Sequence, residues 1–161
     1  MAQSRQQPID VEVLVVGAGL SGICAGVKLR EAGIHDFVIV EKSPRAGGTW
    51  NDNKYPGCAC DIPFLLYTYS FAPDATRDVF APSDDIQAYL LRTADRYGVS
   101  AHFRFDTRVD GLEWDAAAGR WDVRTTNGHY RARFISRLHV LCIRTGRRSW
   151  TRRRTARRCR C

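Results

Sequence analysis

A glycine-rich segment near the start of the chain has the spacing that can hold the pyrophosphate of a dinucleotide. The pattern Gly-x-Gly-x-x-Gly occurs at Gly17, Gly19 and Gly22. In such a loop the first glycine permits a sharp turn, the second lets the backbone approach the phosphates, and the third lets a helix pack closely against the preceding strand. The N–H groups and the positive dipole end of that helix then face the anion. Leu20 and Ser21, which lie between the glycines, belong to the same predicted site.

The segments on both sides of this loop have the periodicity that such a site needs. Residues Val11–Val16 form an apolar, largely β-branched run that is typical of a buried parallel strand. Apolar residues then recur at helical spacing (Leu20, Ile23, Cys24, Val27), and Gly33 is placed to end the helix. A second apolar strand, Phe37–Val40, completes a predicted β–α–β unit. The alternative is a glycine-rich turn with a purely structural role in some other α/β unit.

An acidic residue follows the second strand directly. Glu41 lies 19 positions after Gly22, and the dinucleotide fingerprint places a ribose-binding carboxylate about 20 residues on. Glu41 is therefore the predicted ligand of the ribose hydroxyls, and its neighbour Lys42 is a further candidate cofactor-binding residue. A carboxylate here would repel the 2′-phosphate of NADP.

The net charge of +8 is unevenly distributed along the 161 residues. All 17 acidic residues lie at or before Asp122, whereas ten arginines and no acid fall between Arg137 and Cys161. Such a basic segment could bind nucleic acid. Only Trp150 is available there for base stacking, so nucleic acid is not expected as a partner.

The length and the cysteines limit the other classes of function. The chain is long enough for one domain with a core and hardly for two. It has no apolar run that could span a bilayer, and residues 1–10 lack the apolar stretch of a secretory signal, so we expect a cytoplasmic protein. Cys58 and Cys60 are separated by one residue, which is not the spacing of a redox or zinc motif. No metal site and no disulfide framework are predicted.

Three regions follow the β–α–β unit. Residues 43–82 lack periodicity, and a loop of that length is usually functional. A helix is predicted next, with Asp84 as its cap, Gln87 reaching back to it, and its end before Gly98. The apolar residues then alternate over three segments, which predicts a three-stranded antiparallel meander with a hairpin at Asn127-Gly128. The segments are Phe103–Val109, Trp121–Thr125 and Tyr130–Phe134.

Short motifs in the long loop resemble those of one family. They are Gly47-Gly48-Thr49-Trp50, Tyr55-Pro56-Gly57, Cys60-Asp61 and Tyr67-Thr68-Tyr69-Ser70. Together with the glycine fingerprint and Glu41, in this order, they resemble the FAD-dependent class B monooxygenases, and among these the Baeyer–Villiger monooxygenases. The resemblance covers residues 11 to about 136. It implies an α/β, Rossmann-like FAD-binding unit, reduction by NADPH, and oxygen insertion next to a ketone or oxidation of a heteroatom.

The same resemblance implies roles for individual residues. Gly17, Gly19 and Gly22 would bind the FAD pyrophosphate and Glu41 the adenosine ribose. Gly48, Thr49 and Trp50 would lie along the flavin, with Tyr55 in the same candidate set. Asp61 matches an acid near the flavin that pairs with an arginine of the nicotinamide domain, and it is the candidate catalytic residue. The alternatives are a loop-capping role for Asp61 and core packing for Trp50. Phe64 stands where the family often has a serine.

The sequence departs from the family pattern after Ser136. The strand that begins at Phe134 does not reach the expected small-residue turn, and no second glycine fingerprint for NADPH follows. We therefore expect a polar N-terminal tail (1–10), an incomplete FAD-binding domain (11–136), and a basic tail (137–161) that is disordered or read out of frame. This isolated chain is expected to be inactive. The alternatives are a stand-alone dinucleotide-binding module and, ranked lower, a nucleic-acid-binding protein acting through its arginine-rich tail.

Overall fold

The computed structural model describes residues 7–75 and 78–137. The predictions for the basic tail concern residues 138–161 almost entirely, and these lie outside the described residues. The elements, in chain order, are β1 (Ile9–Val16), α1 (Leu20–Glu31), β2 (Phe37–Val40), α2 (Thr49–Asp52), α3 (Ser83–Arg96), β3 (Phe103–Arg104), β4 (Val109–Asp115), β5 (Arg120–Thr125) and β6 (Gly128–Arg137). Short 3-10 helices occupy Phe64–Leu66 and Ser100–His102.

The six described strands form one mixed sheet in the order β3-β2-β1-β6-β5-β4. The four adjacent strands β3, β2, β1 and β6 run parallel to one another. Val15 of β1 lies between Ile39 of β2 and Ser136 of β6. Strands β4, β5 and β6 are antiparallel neighbours. The predicted α/β class, with a Rossmann-like β–α–β unit and an antiparallel meander, is confirmed.

Strand β6 joins the meander to the parallel part of the sheet. Its first half pairs antiparallel with β5, from Gly128 to Ala132. The strand also pairs parallel with β1, from Tyr130 to Arg137. The last meander segment and the segment that begins at Phe134 are therefore one continuous strand, which places the end of β6 beside the end of β1.

The predicted first strand of the meander is wrong. Phe103–Val109 does not form one strand, because β3 ends at Arg104 and pairs with β2, and the meander begins only at Val109. Between them Asp106 has a φ of +53°, and the Thr107 N–H donates to the Glu41 carbonyl oxygen at 2.7 Å. An extended loop that alternates its side chains has the same period as a strand, so periodicity does not reveal the break.

The predicted capping box of α3 is also wrong. The helix begins at Ser83, and no side chain caps it, since Pro82 occupies the cap position. Asp84 lies in the first turn, where its charge favours the helix dipole, and it accepts a hydrogen bond from Lys54 Nζ at 2.6 Å. Gln87 does not reach back to the helix start. Its amide donates to the Ala46 carbonyl oxygen in the long loop.

Buried side chains fill both faces of the sheet. Helices α1 and α3 cover one face over a core that includes Val13, Val15, Ile23, Val27, Ile39, Ile86, Leu90 and Val99. The other core contains Val11, Leu14, Val38, Val40, Val123, Tyr130 and Ala132. Helix α1 ends at Glu31, and Gly33 follows with a φ of +76° while the Ile34 N–H donates to the Leu29 carbonyl oxygen, as the sequence predicts for a helix end. No helix in the described part of the chain is long and apolar enough to cross a membrane.

Candidate functional site

The glycine loop connects the end of β1 to the start of α1. It therefore lies at the carboxyl end of the parallel strands, where open α/β sheets bind their ligands. Gly17 has a φ of +99°, which only glycine adopts readily, and its N–H donates to the Val40 carbonyl oxygen at 2.8 Å. A Cβ atom at Gly22 would lie 1.8 Å from the Gly17 carbonyl oxygen. The helix thus starts so close to the turn that no side chain fits between them.

The N-terminus of α1 has no cap from the chain itself. No side chain accepts a hydrogen bond from its first turn, and this turn contains no acidic residue. The N–H groups of Leu20, Ser21 and Gly22 have no acceptor within the helix, because an α-helix leaves its first donors unpaired. This helix end combines free donors with a positive dipole end and can bind an anionic group.

Glu41 holds the glycine loop in place. The residue is 5% exposed; its Oε2 accepts a hydrogen bond from the Ala18 N–H at 2.7 Å and its Oε1 accepts one from the Ser43 N–H at 2.9 Å. A carboxylate oxygen can accept more than one hydrogen bond, so the group retains capacity for a ribose hydroxyl. Sequence reasoning singled out Glu41 but missed both of these backbone partners.

A second glycine segment packs against the first. The Gly47 N–H donates to the Ala18 carbonyl oxygen at 3.0 Å. A Cβ atom at Gly48 would lie 3.0 Å from the Cα atom of Gly19. Gly47 and Gly48 have φ values of +130° and +55°. The two turns therefore meet backbone to backbone, which leaves peptide groups rather than side chains along this part of the site.

Trp50 follows the second glycine segment in the short helix α2. Its indole N–H donates to the Tyr67 hydroxyl oxygen at 3.2 Å, and the two rings meet edge to face with their centroids 5.5 Å apart. Burial raises the pKa of Tyr67 further above its ordinary value. Thr49 and Trp50 are both half-buried. Trp50 also packs against the buried core, as the core-packing alternative expects, and remains partly exposed.

Three residues that the sequence predicts for the site, Lys42, Tyr55 and Asp61, have solvent-exposed side chains. Lys42 is exposed, with its Nζ 3.8 Å from the carboxylate of Asp52. Tyr55 is 61% exposed, and the Cys58 thiol beside it raises the pKa of its hydroxyl. Asp61 is exposed. Among the described contacts no hydrogen bond to the Asp61 carboxylate occurs, which gives no support to a loop-capping role.

Tyrosine hydroxyls attach the long loop to the helices. Tyr69 donates to the Leu20 carbonyl oxygen at 2.5 Å in the first turn of α1. The Tyr69 N–H donates to the Tyr89 hydroxyl oxygen of α3, and that hydroxyl donates to the Ala72 carbonyl oxygen. These contacts fix residues 67–72 beside the glycine loop. The sequence carries no signal for them beyond the aromatic content of the loop, because each joins residues far apart in the chain.

Comparisons with known proteins agree with this geometry. The sequence profile of the NAD(P)-binding Rossmann-like domain matches residues 15–81. A Baeyer–Villiger monooxygenase of Streptomyces coelicolor is 45% identical over 129 residues, which cover 80% of this chain and 25% of the relative. A Baeyer–Villiger monooxygenase of Pseudomonas aeruginosa is 37% identical over 127 residues, with 77% and 24% covered. The chain is thus similar, over about four fifths of its own length, to Baeyer–Villiger monooxygenases.

Solved structures of the family have the same fold. An oxidised steroid monooxygenase bound to NADP superposes with a TM-score of 0.76 at 36% identity, covering 80% of this chain and 26% of that structure. A closed crystal structure of cyclohexanone monooxygenase superposes with a TM-score of 0.76 at 32% identity, covering 81% and 26%. Binding of FAD and NADP(H) is typical of Baeyer–Villiger monooxygenases. The chain spans about a quarter of the length of the relatives that it matches.

The described residues fit the FAD of this family. The uncapped start of α1 provides donors for a pyrophosphate. Beside it Gly19 and Gly48 pack backbone to backbone and form a cradle of peptide groups, in which a Cβ atom added to Gly48 would lie 3.0 Å from the Gly19 Cα atom. Across residues 7–75 and 78–137, no three His, Cys, Asp or Glu side chains come together in a way that could hold a metal ion. The donors at the start of α1 are backbone N–H groups, which suit an anionic group.

Proposed function

We propose that this chain is the FAD-binding portion of an NADPH-dependent flavin monooxygenase that inserts oxygen next to a ketone or oxidises a heteroatom. The observation that supports this most directly is the packing of two glycine segments at the uncapped start of α1. A Cβ atom added to Gly48 would lie only 3.0 Å from the Cα atom of Gly19. When bound, FAD supplies the redox chemistry through which electrons from NADPH activate dioxygen.

Each part of the site has a role in this proposal. The backbone of Gly17, Gly19, Leu20, Ser21 and Gly22 binds the pyrophosphate, because free helix N–H groups and glycine backbone allow close approach of an anion. The adenosine ribose is held by Glu41, whose carboxylate is already fixed by two backbone donors. The flavin side is formed by Gly48, Thr49 and Trp50. The exposed residues Lys42 and Tyr55 form the rim of the same site.

Asp61 is the candidate catalytic residue. Its carboxylate is exposed and has no described hydrogen-bond partner, so it is available to a cation that approaches from outside the described residues. An opposite charge within a few ångströms would favour the ionised form of both groups. We propose that Asp61 positions such a cation, an arginine of a nicotinamide-binding region, beside the flavin.

The experiment that tests the cofactor assignment is a titration of the purified chain with FAD, NADPH and NAD, followed by intrinsic Trp fluorescence and calorimetry. We expect FAD to bind more tightly than either nicotinamide nucleotide, since Glu41 repels a 2′-phosphate and the second glycine segment faces the flavin side. Tight binding of NADPH without binding of FAD would contradict the proposal. The same titration is made with Gly19→Val, a variant of the glycine loop. Its matched control is Ala118→Val, in the exposed turn between β4 and β5, which adds a larger side chain away from the site.

A further inference from the structure

The side-chain amide of Gln87 links helix α3 to the second glycine segment. Its Nε2 donates to the Ala46 carbonyl oxygen and to Asn51 Oδ1, both at 3.0 Å. Its Oε1 accepts a hydrogen bond from Lys54 Nζ at 2.9 Å. Both donor hydrogens of the amide are thus used, and both are directed at the segment that precedes and contains α2.

The peptide group between Ala46 and Gly47 is held at both of its polar atoms. Gln87 Nε2 binds its carbonyl oxygen, and its N–H donates to the Ala18 carbonyl oxygen at 3.0 Å in the first glycine loop. Two hydrogen bonds on opposite sides fix the orientation of the peptide plane. The next residue along the chain is Gly48, whose Cα atom faces Gly19. Gln87 is thereby connected to the cofactor cradle through one peptide.

The absence of a side chain at Gly47 makes this link possible. A Cβ atom there would lie 3.1 Å from Gln87 Nε2, 3.1 Å from Gln87 Cγ and 3.1 Å from the Cβ atom of Asn51. The amide therefore occupies the space beside Gly47 that a side chain would take. The φ of +130° at Gly47 further disfavours any other residue.

We propose that Gln87 is a positioning residue for the flavin side of the cofactor site. It does not contact the cofactor itself. It orients the Ala46–Gly47 peptide, so that the Gly48 backbone stays against Gly19 while Thr49 and Trp50 face the flavin. This inference rests on the proposed function, because it presupposes that FAD occupies the cradle.

The test compares Gln87→Met with the unaltered chain, using FAD and ADP as separate probes. Methionine keeps the length of the side chain and removes both donors. ADP carries the half of the cofactor assigned to the first glycine loop and Glu41, whereas FAD also needs the second segment. We expect the affinity for FAD to fall by about tenfold, with the affinity for ADP changed by less than about twofold and with a shifted visible absorption spectrum of the bound flavin.

The matched control is Lys54→Met. Lys54 contacts the same amide, but its loss leaves both Nε2 hydrogen bonds in place, and its ion pair with Asp84 is exposed. We expect FAD affinity and the flavin spectrum of this variant to match those of the unaltered chain. A second variant, Gln87→Glu, keeps the acceptor for Lys54 and replaces the donor with a carboxylate oxygen that repels the Ala46 carbonyl oxygen. It should lose FAD affinity as Gln87→Met does.

Several outcomes would overturn the inference. One is unchanged FAD affinity and an unchanged flavin spectrum in Gln87→Met; another is an equal loss of FAD and ADP binding, which indicates a general loss of structure. Failure of both Gln87 variants to fold, judged by far-ultraviolet circular dichroism, would show a purely structural role and would also overturn it. If the unaltered chain binds no FAD, the proposed function itself fails. If the unaltered chain binds FAD and the Gln87 variants bind it equally well, only this inference is contradicted.

Discussion

Gly19 and Gly48 face each other in the candidate site, so closely that a side chain on Gly48 would crowd the Gly19 backbone. A Cβ atom at Gly48 would lie 3.0 Å from the Cα atom of Gly19, and one at Gly19 would lie 3.4 Å from the Cα atom of Gly48. The second distance is an ordinary van der Waals contact. A Cβ atom at Gly19 can therefore be accommodated by the fold, and the Gly19 backbone is the part of the loop that the proposal assigns to the pyrophosphate.

We predict that Gly19→Val abolishes FAD binding without unfolding the protein. Gly19 has a φ of −85°, which valine adopts without strain. The valine side chain would stand between the backbone and the pyrophosphate, so we expect the affinity for FAD to fall by more than about a hundredfold, equivalent to about 2.7 kcal/mol. Calorimetric titration with FAD, together with a thermal melt, measures both parts of the prediction. Comparable affinity in the variant would show that this loop does not bind the phosphates.

We predict that Gly22→Ala destabilises the fold rather than merely weakening binding. The added methyl group would lie 1.8 Å from the Gly17 carbonyl oxygen, which forces the start of α1 away from β1. Such overpacking costs about 3 kcal/mol or more. Urea unfolding measures the loss. The matched control is Gly33→Ala, where φ is +76° but nothing lies within 4 Å of the added atom, so only the backbone strain of about 1 kcal/mol is expected.

The β–α–β unit could be predicted from the sequence because several signals coincide there. The apolar strand at Val11–Val16, the three glycines and the helical spacing as far as Gly33 all favour the same arrangement. Glycine positions are informative because both a positive φ and a close backbone contact exclude other residues, as at Gly17 and Gly22. Local patterns of this kind are readable without any knowledge of distant contacts.

The rest of the site depends on contacts between residues far apart in the chain. Nothing near Trp50 indicates that its indole binds Tyr67, and nothing near Gln87 indicates that its amide reaches Ala46. The local capping pattern at Asp84 instead favoured a role for Gln87 within its own helix. Phe103–Val109 was predicted as one strand since an extended loop shares the strand period. In each case tertiary contacts decide among conformations that the local sequence allows equally.

We predict that the stability of the protein falls at alkaline pH through its buried and half-buried tyrosines. Burial raises the pKa of Tyr69 well above its ordinary value, and burial also raises the pKa of Tyr67 and of Tyr89. The folded pKa of each tyrosine lies above the unfolded value of about 10. The contribution of these groups to the free energy of unfolding is therefore fully present below a pH of about 10, and it is lost as the pH rises towards the folded pKa. Urea unfolding as a function of pH measures the decline.

The variant Tyr69→Phe separates this effect from general alkaline unfolding. It removes the hydrogen bond from the Tyr69 hydroxyl to the Leu20 carbonyl oxygen, which costs about 1 kcal/mol at neutral pH. Above pH of about 10 the free energy of unfolding should decline less steeply than in the unaltered chain, since one ionisable group of the unfolded state is gone. A slope identical to that of the unaltered chain would exclude Tyr69 as a source of the pH dependence.

We predict that a polypeptide of these 161 residues, loaded with FAD, does not catalyse NADPH-dependent oxygenation. Hydride delivery requires a nicotinamide held against the flavin in a reactive orientation, and the sequence contains one Gly-x-Gly-x-x-Gly motif, which the proposal assigns to FAD. The measurement is NADPH consumption with a cyclic ketone or a sulfide, using free FAD as the baseline and the Baeyer–Villiger monooxygenase of Streptomyces coelicolor as the positive control. Consumption that depends on the ketone and exceeds the baseline would contradict the prediction. It would also require a second nucleotide site, and the Gly19→Val variant would then show whether the glycine loop takes part in that activity.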